Sequence, residues 1–542
     1  MNFKAGESAG KLRGGYYTPP SVASFLARWV MARKPRTILE PSVGDGAFLR
    51  AFQGLHPRIQ FTGIELDEEE AVKVRKTAEG NGFQAEILQG NFLAWALESA
   101  ERYDAVVGNP PYVRFQYLAE EDRALAERVF ERHHLAFTRH ANAWVPFVIA
   151  SVAKLSPGGR LAMVIPSEVL CVLHAAPVRT FLMSECRRVL IIDPRELLFE
   201  GTLQGTVLLM AERKSSGEGS EGVSIVPVAG SDFLAKDPEQ LFERTTYVSA
   251  DREKWTKLLL SPVESEVFEE ARSSIRRFQD MACVDLGILT GANAFFVVDQ
   301  ASVVRHHLSG FALPVLGRSG NCPGVIYDEA LHRENEAKGL RTNLISFGKE
   351  TVERLPKGAR EYIALGESQK IHLRQKCRNR TPWYSIPSVY PTTIGMVKCS
   401  HDYHRLILNR AGACTTTTAY RVRIVDGSVS PARLVFSFLN SLTALATELL
   451  GRHYGGGVLE LVPSEIERLP VPVIGSADCD LEVLDAKIKS GTRADVLLRE
   501  QDEVILKAAG LTTRERTVIH EAWKRIRDRR HRRGDQGVSG ES

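Results

Sequence analysis

The chain has 542 residues, 44% of them hydrophobic and 25% charged, with a net charge of +4. That length exceeds what one hydrophobic core usually organises, so two or three domains are expected. No apolar run is long enough for a transmembrane helix, the eight cysteines include no CxxC pair for a disulfide framework or zinc ribbon, and the charge is too small to announce nucleic acid by itself.

The N-terminal segment, Met1 to Lys11, is polar and Gly-rich without an apolar signal core, which predicts a cytoplasmic protein. From Thr37 to about Arg213, short apolar runs alternate with helical patterns, as an α/β unit with a mostly parallel sheet requires. The first strand, Thr37 to Glu40, runs into Pro41-Ser42-Val43-Gly44-Asp45-Gly46, a glycine turn that lets backbone approach a ligand before a helix begins. The second, Phe61 to Leu66, carries Glu65 at its end, where a carboxylate can accept both hydroxyls of a ribose. The third, Ala85 to Gln89, leads to Gly90-Asn91-Phe92, an amide and an aromatic suited to the edge and face of an adenine ring. The fourth, Asp104 to Val107, leads to Gly108-Asn109-Pro110-Pro111-Tyr112. Arg160 to Ile165, Val189 to Ile192 and Thr206 to Ala211 complete seven strands, the last two expected to pair antiparallel as a hairpin at one end of the sheet.

The loops carry chemistry. A Walker-type phosphate loop is absent and Asp45 would repel a pyrophosphate, which points away from ATP and NAD. S-adenosylmethionine carries a sulfonium and an amino group, so carboxylates such as Glu40 and Asp45 suit its methionine end. In Asn109-Pro110-Pro111-Tyr112 two prolines stiffen the backbone. An adenine amino group is a poor nucleophile because its lone pair is delocalised into the ring. If the Asn109 side-chain oxygen and the Pro110 carbonyl accept its hydrogens, the nitrogen is drawn toward tetrahedral geometry and can attack a methyl group, with Tyr112 stacked on the base.

Tyr17-Thr18-Pro19-Pro20, Glu40-Pro41 with Gly44-Asp45-Gly46, Glu65, Asn91-Phe92 and Asn109-Pro110-Pro111-Tyr112 resemble the ordered motifs of the gamma-class, TaqI-like adenine methyltransferases of restriction-modification systems. The resemblance implies a seven-stranded, Rossmann-like class I methyltransferase sheet followed by a C-terminal α+β target-recognition domain and terminal helices. It implies S-adenosyl-L-methionine as cofactor, with Thr18, Glu40, Pro41, Ser42, Gly44 and Asp45 at its methionine end, Glu65 and Leu66 at the ribose, and Asn91 and Phe92 at its adenine. It implies transfer to N6 of an adenine flipped out of double-stranded DNA by Asn109, Pro110 and Tyr112, with Pro111 beside the base. Phe199, in Phe199-Glu200-Gly201-Thr202-Leu203-Gln204-Gly205, resembles the late motif that packs on the base's other face. The family usually has Asp where this chain has Asn91; the amide oxygen is then the expected acceptor for the cofactor's amino group.

The organisation expected is a methyltransferase domain over 1–214, a linker with bridging helices over 215–280, a DNA target-recognition domain over 281–474 and a basic helical extension over 475–542. Asp285 to Phe296, Leu439-Asn440-Ser441, Gly451-Arg452-His453-Tyr454 and Leu469-Pro470-Val471-Pro472 resemble parts of a TaqI-like recognition domain. Arg374, Arg378, Trp383, Lys398 and Arg452 are candidate DNA contacts, mixing cations with an aromatic. The C-terminal Arg run is read either as a solvated tail or as a phosphate contact, and no metal is expected. Monomeric action, with or without a separate cognate restriction endonuclease, completes the expectation. The rival readings are a methyltransferase for cytosine N4, RNA or protein glutamine, and a non-catalytic DNA specificity subunit.

Overall fold

The computed structural model describes residues 17–55, 59–80, 84–138, 142–196, 205–250, 254–475 and 478–531. The chain divides into two compact units. The first holds residues 1–259 with 452–457 and 528–542, and the second holds 260–451 with 458–527.

The first unit is built on one sheet of strands β1 (Thr37–Glu40), β2 (Gln60–Glu65), β3 (Ala85–Gln89), β4 (Tyr103–Gly108), β5 (Leu155–Pro166), β6 (Cys186–Pro194), β7 (Thr206–Arg213) and β8 (Gly222–Val228). Their spatial order is β3-β2-β1-β4-β5-β7-β6-β8. β1 to β5 run parallel, while β7 is antiparallel to both β5 and β6. The result is an α/β unit with a mixed, mostly parallel sheet, followed by a C-terminal unit. One expectation is corrected: the sheet has eight strands, not seven, because Gly222–Val228, read from sequence as part of a linker, pairs parallel with β6. The expected antiparallel pairing of β6 and β7 is present, with Val189 facing Ala211 and Leu190 facing Met210; β7 lies between β5 and β6, and β8 takes the edge.

Strand order reverses between β1 and β4, and this places a crevice outside their carboxyl ends. The two strands are pinned at their other ends by Asp104, which accepts from Arg36 N at 2.8 Å and Thr37 N at 3.2 Å and donates its own N–H to Thr37 Oγ1 at 3.0 Å. Helix α1 (Pro20–Met31) starts on a proline that lacks the N–H a first turn leaves unpaired. Its apolar residues Val22, Phe25, Leu26, Trp29 and Val30 are buried in the core with Phe48, Phe52 and Phe61. Arg160 of β5 is 1% exposed and paired: its guanidinium meets Glu239 at 2.6 and 2.8 Å and donates to Trp29 O at 2.7 Å, while its Nε has no hydrogen-bond partner among the described residues.

The second unit holds a five-stranded sheet, in which Ala282–Leu286 pairs antiparallel with Ala419–Ile424, and a four-stranded one. Helices Pro431–Ser437 and Ser441–Leu450 are apolar, and the second is buried on nearly all sides. No single helix among the described residues is long and apolar enough to cross a membrane. The Leu439-Asn440-Ser441 motif works as a joint. Asn440 caps its helix by accepting from Thr443 N at 2.9 Å, and Ser441 meets Asp502 through its N–H at 2.8 Å and His520 through its hydroxyl at 2.9 Å.

Candidate functional site

The carboxyl ends of β1 to β4 open on a cleft of about 510 Å³, a volume suited to a nucleoside-sized ligand. Its lining brings together Thr18, Glu40, Pro41, Ser42, Gly44, Asp45, Glu65, Leu66, Asn91, Phe92, Asn109 and Pro111, residues singled out from four separate strand ends and the segment before α1. Pro110 and Tyr112 are not in this lining, and Phe199 lies outside the described residues.

Each wall has a local cause. Gly44 and Gly46 adopt φ of +54° and +77°, values that L side chains seldom take, and so turn the chain from β1 into helix α2 (Ala47–Phe52). Glu65 holds that turn: Oε2 accepts from Gly44 N at 2.8 Å and Oε1 from Asp67 N at 2.9 Å. A carboxylate has about four acceptor sites, so capacity remains for ligand hydroxyls. Ser42 donates its hydroxyl to Asn109 O at 3.0 Å and Asn109 Nδ2 donates to Thr18 Oγ1 at 3.3 Å, tying the glycine turn, the segment before α1 and the Asn109 loop into one network. With Nδ2 engaged by Thr18, the acceptor Oδ1 occupies the other branch of the Asn109 amide. The Tyr112 hydroxyl donates to Val164 O at 3.0 Å and fixes the ring against β5.

Glu40 dominates the electrostatics. It is 1% exposed, and Oε2 has no hydrogen-bond partner among the described residues. Burial pushes its carboxyl well above the usual carboxylate range, and the nearby charges of Asp45 and Glu65 push the same way against the opposing Arg50. A buried carboxyl without a partner is costly unless a donor arrives from outside the chain. Asp45 is itself paired with Arg50 at 2.6 Å.

The opposite end is apolar. Phe92, 2% exposed, meets Phe147 with ring centroids 5.2 Å apart. Phe147 also lines the cleft, as do Tyr17, Phe48 and Glu70. Tyr17 belongs to the motif Tyr17-Thr18-Pro19-Pro20, whereas Phe147 carried no signal in sequence: it sits in the helix Trp144–Ala153, and only packing of that helix turns it to the cleft.

Asn91 has a structural task at this end. Its Oδ1 caps helix Phe92–Glu98 by accepting from Leu93 N at 2.9 Å and Ala94 N at 3.3 Å. Both lone pairs of that oxygen are therefore engaged by backbone donors.

The candidate DNA contacts separate. Arg374 and Arg378 are exposed around the short helix Gln375–Arg378 in the second unit. Trp383 turns inward among Phe295, Phe296 and Tyr384, and its Nε1 donates to Glu367 at 3.1 Å. Lys398 pairs with Glu460 at 2.7 Å. Arg452 belongs to the first unit, where the adjoining His453 N–H donates to Cys171 Sγ at 3.3 Å. Among the described residues of the basic C-terminal run, four cations are engaged within the chain. Arg525 pairs with Glu264, Arg527 lies over Trp523, Arg529 pairs with Asp193 and Arg530 donates to Gly457 O.

Residues 3–229 match the family described as N-6 DNA Methylase, and residues 252–506 match the C-terminal domain of the type II methyltransferase M.Eco57I. This is an N6-adenine DNA methyltransferase of the restriction-modification kind. Similar proteins include the type II methyltransferase M.AccI of Acinetobacter calcoaceticus, 22% identical with 84% of each chain covered. M.XamI of Xanthomonas campestris pv. amaranthicola is 21% identical with 85% of each covered. M.TthHB8I of Thermus thermophilus is 30% identical over 33% of this chain and 41% of its own. The family implies S-adenosylmethionine as the methyl donor of this N6-adenine methyltransferase and DNA as its substrate.

Proposed function

We propose that the methyltransferase binds S-adenosylmethionine in the 510 Å³ cleft with its amino group on Glu40, its ribose on Glu65 and its adenine beside Phe92. The observation that carries this reading is Glu40: a buried carboxyl whose Oε2 has no partner among the described residues, in a cleft that is also lined by Phe92 and Phe147. When bound, the cofactor supplies an electrophilic methyl group on sulfur. The chain's own work is positioning. Thr18 and Ser42 hold the Asn109 loop against the cleft. Asn109 Oδ1 and the Pro110 carbonyl accept the hydrogens of the target amino group, so that the nitrogen lone pair attacks in line and a proton is then lost to these acceptors or water. Tyr112, fixed by Val164, stacks on the flipped adenine, with Phe199 on its other face.

In this reading the enzyme is of the gamma class and works as a cytoplasmic monomer, either alongside a separate cognate endonuclease or alone. Its second unit, with Arg374 and Arg378 on the surface, reads the DNA sequence. The test is single-molecule sequencing of genomic DNA from hosts expressing the intact protein or Asn109→Ala. One short motif methylated at adenine only with the intact protein is expected, with turnover of the variant down by at least about 100-fold. Wild-type turnover in the variant would remove Asn109 from the mechanism.

A further inference from the structure

We infer that Asp122 is the residue that accepts the hydrogen bond from the cofactor's adenine amino group, and that Asn91 serves to hold Asp122 in place. The inference rests on the proposed placement of S-adenosylmethionine in the cleft. It begins with the assignment of one amide. Because Asn91 Oδ1 accepts from two backbone N–H groups, the other branch of the amide is Nδ2, and that nitrogen lies 2.7 Å from Asp122 Oδ1. The distance is that of a charge-assisted hydrogen bond.

The chemistry of the adenine edge then decides what is needed. Its exocyclic amine donates and its ring N1 accepts. Asn91, with its oxygen spent on the helix cap, offers that edge only donors, and a donor facing an amine is repulsive. Asp122 restores the missing acceptor. Asn91 takes one site on its carboxylate, which has about four, and Nδ2 keeps a second hydrogen for ring N1. Asn91 and Phe92 form the wall of the cleft, and Asp122 stands one hydrogen bond beyond Asn91, outside that lining, so amide and carboxylate side by side offer the donor and acceptor pair that adenine requires at its edge. Asp122 comes from the first turn of helix Glu120–Arg132, on the connection between β4 and β5. The carboxylate usual at position 91 in the family is in effect relocated to a residue distant in sequence.

The experiment uses the full chain and two ligands, S-adenosylhomocysteine and S-inosylhomocysteine, between which the 6-amino donor becomes a carbonyl acceptor and ring N1 changes from an acceptor to an N–H donor. Titration calorimetry gives the two dissociation constants. For the intact protein the adenosyl ligand is expected to bind at least about 30-fold more tightly, as a site built to pair an amine should. Asp122→Asn should weaken adenosyl binding by about 10- to 100-fold and collapse the ratio between ligands. Asn91→Asp alone should also weaken it, because two carboxylates would meet at the 2.7 Å contact. The exchanged variant, Asn91→Asp with Asp122→Asn, keeps the pair and its shape, so it folds even if a single variant does not. It swaps the acceptor and the donor, so binding should recover with the preference reversed toward the inosyl ligand, whose ring N1–H donates and whose carbonyl accepts. Unchanged affinity and ratio in Asp122→Asn would overturn the inference. So would equal loss for both ligands that the exchange fails to repair, since that marks a purely structural contact between the helices. Absence of any cofactor binding by the intact chain would instead defeat the placement of the cofactor itself.

Discussion

Replacing Glu40 by Gln separates stability from function at one atom. Without ligand the Glu40 carboxyl is buried, has no partner at Oε2 among the described residues and is held well above the usual carboxylate range, first by burial and then by Asp45 and Glu65. The native state therefore binds this proton more tightly than the unfolded chain does. Its contribution to stability is fully present below the ordinary carboxylate value and is lost as pH rises from there through the raised one. Glu40→Gln removes that loss. An unsatisfied buried group costs about 1–3 kcal/mol, so the empty variant should melt higher than the parent at pH 8, by about 2–6 °C, with little difference at pH 4. Cofactor binding should move the opposite way. A carboxylate paired with the ligand's ammonium is worth about 1.5–3 kcal/mol, so affinity for S-adenosylhomocysteine should fall by about 10- to 150-fold. Binding to the parent should also release the Glu40 proton, seen as a calorimetric heat that depends on the buffer's ionisation enthalpy and that vanishes in the variant. A variant that melts lower at pH 8 and binds the ligand unchanged would show that Glu40 is a structural residue, and the orientation of the ligand would have to be abandoned.

Other consequences follow from buried charge. Glu239→Ala strands the Arg160 guanidinium between Trp29 and Phe242, at 4.6 and 5.7 Å. It should destabilise the first unit by about 2–4 kcal/mol, read as a lower urea midpoint at unchanged slope. Glu168, at the end of β5, has its carboxyl pushed up to about 7 by burial, against Arg114 and the Asn142 amide, which donates to it at 3.0 Å. As an acid raised in the folded state, it should make stability decline from about pH 4.5 to about pH 7. Glu168→Gln should flatten that decline, a difference on the order of 1–3 kcal/mol at pH 8 in chemical denaturation. An identical pH slope in the variant would refute that assignment.

Most of the cofactor cleft was legible because its parts are local. A strand that ends in a glycine turn, such as Glu40 to Gly46, or in an acid, such as Glu65, announces both the element and the group it presents, and parallel strands deliver such ends to one side of the sheet. The eighth strand was not legible, since Gly222–Val228 follows a stretch rich in Gly and Ser and gains its identity only by pairing with β6. Composition likewise misled on Trp383 and the Arg run. Aromatic and basic residues in a short span suit a groove, yet Trp383 completes a buried aromatic cluster and Arg525, Arg529 and Arg530 are taken up by Glu264, Asp193 and Gly457.

By itself the sequence determined the class of protein and the order of the loops that bring Glu40, Glu65 and Asn109 to one cleft, because these depend on residues adjacent along the chain. Only the tertiary structure decided which way the Asn91 amide faces, that Asp122 stands 2.7 Å from it, and that Phe147 closes the apolar end. Those outcomes depend on how helices from distant segments pack, and packing is a property of surfaces that no local spacing encodes.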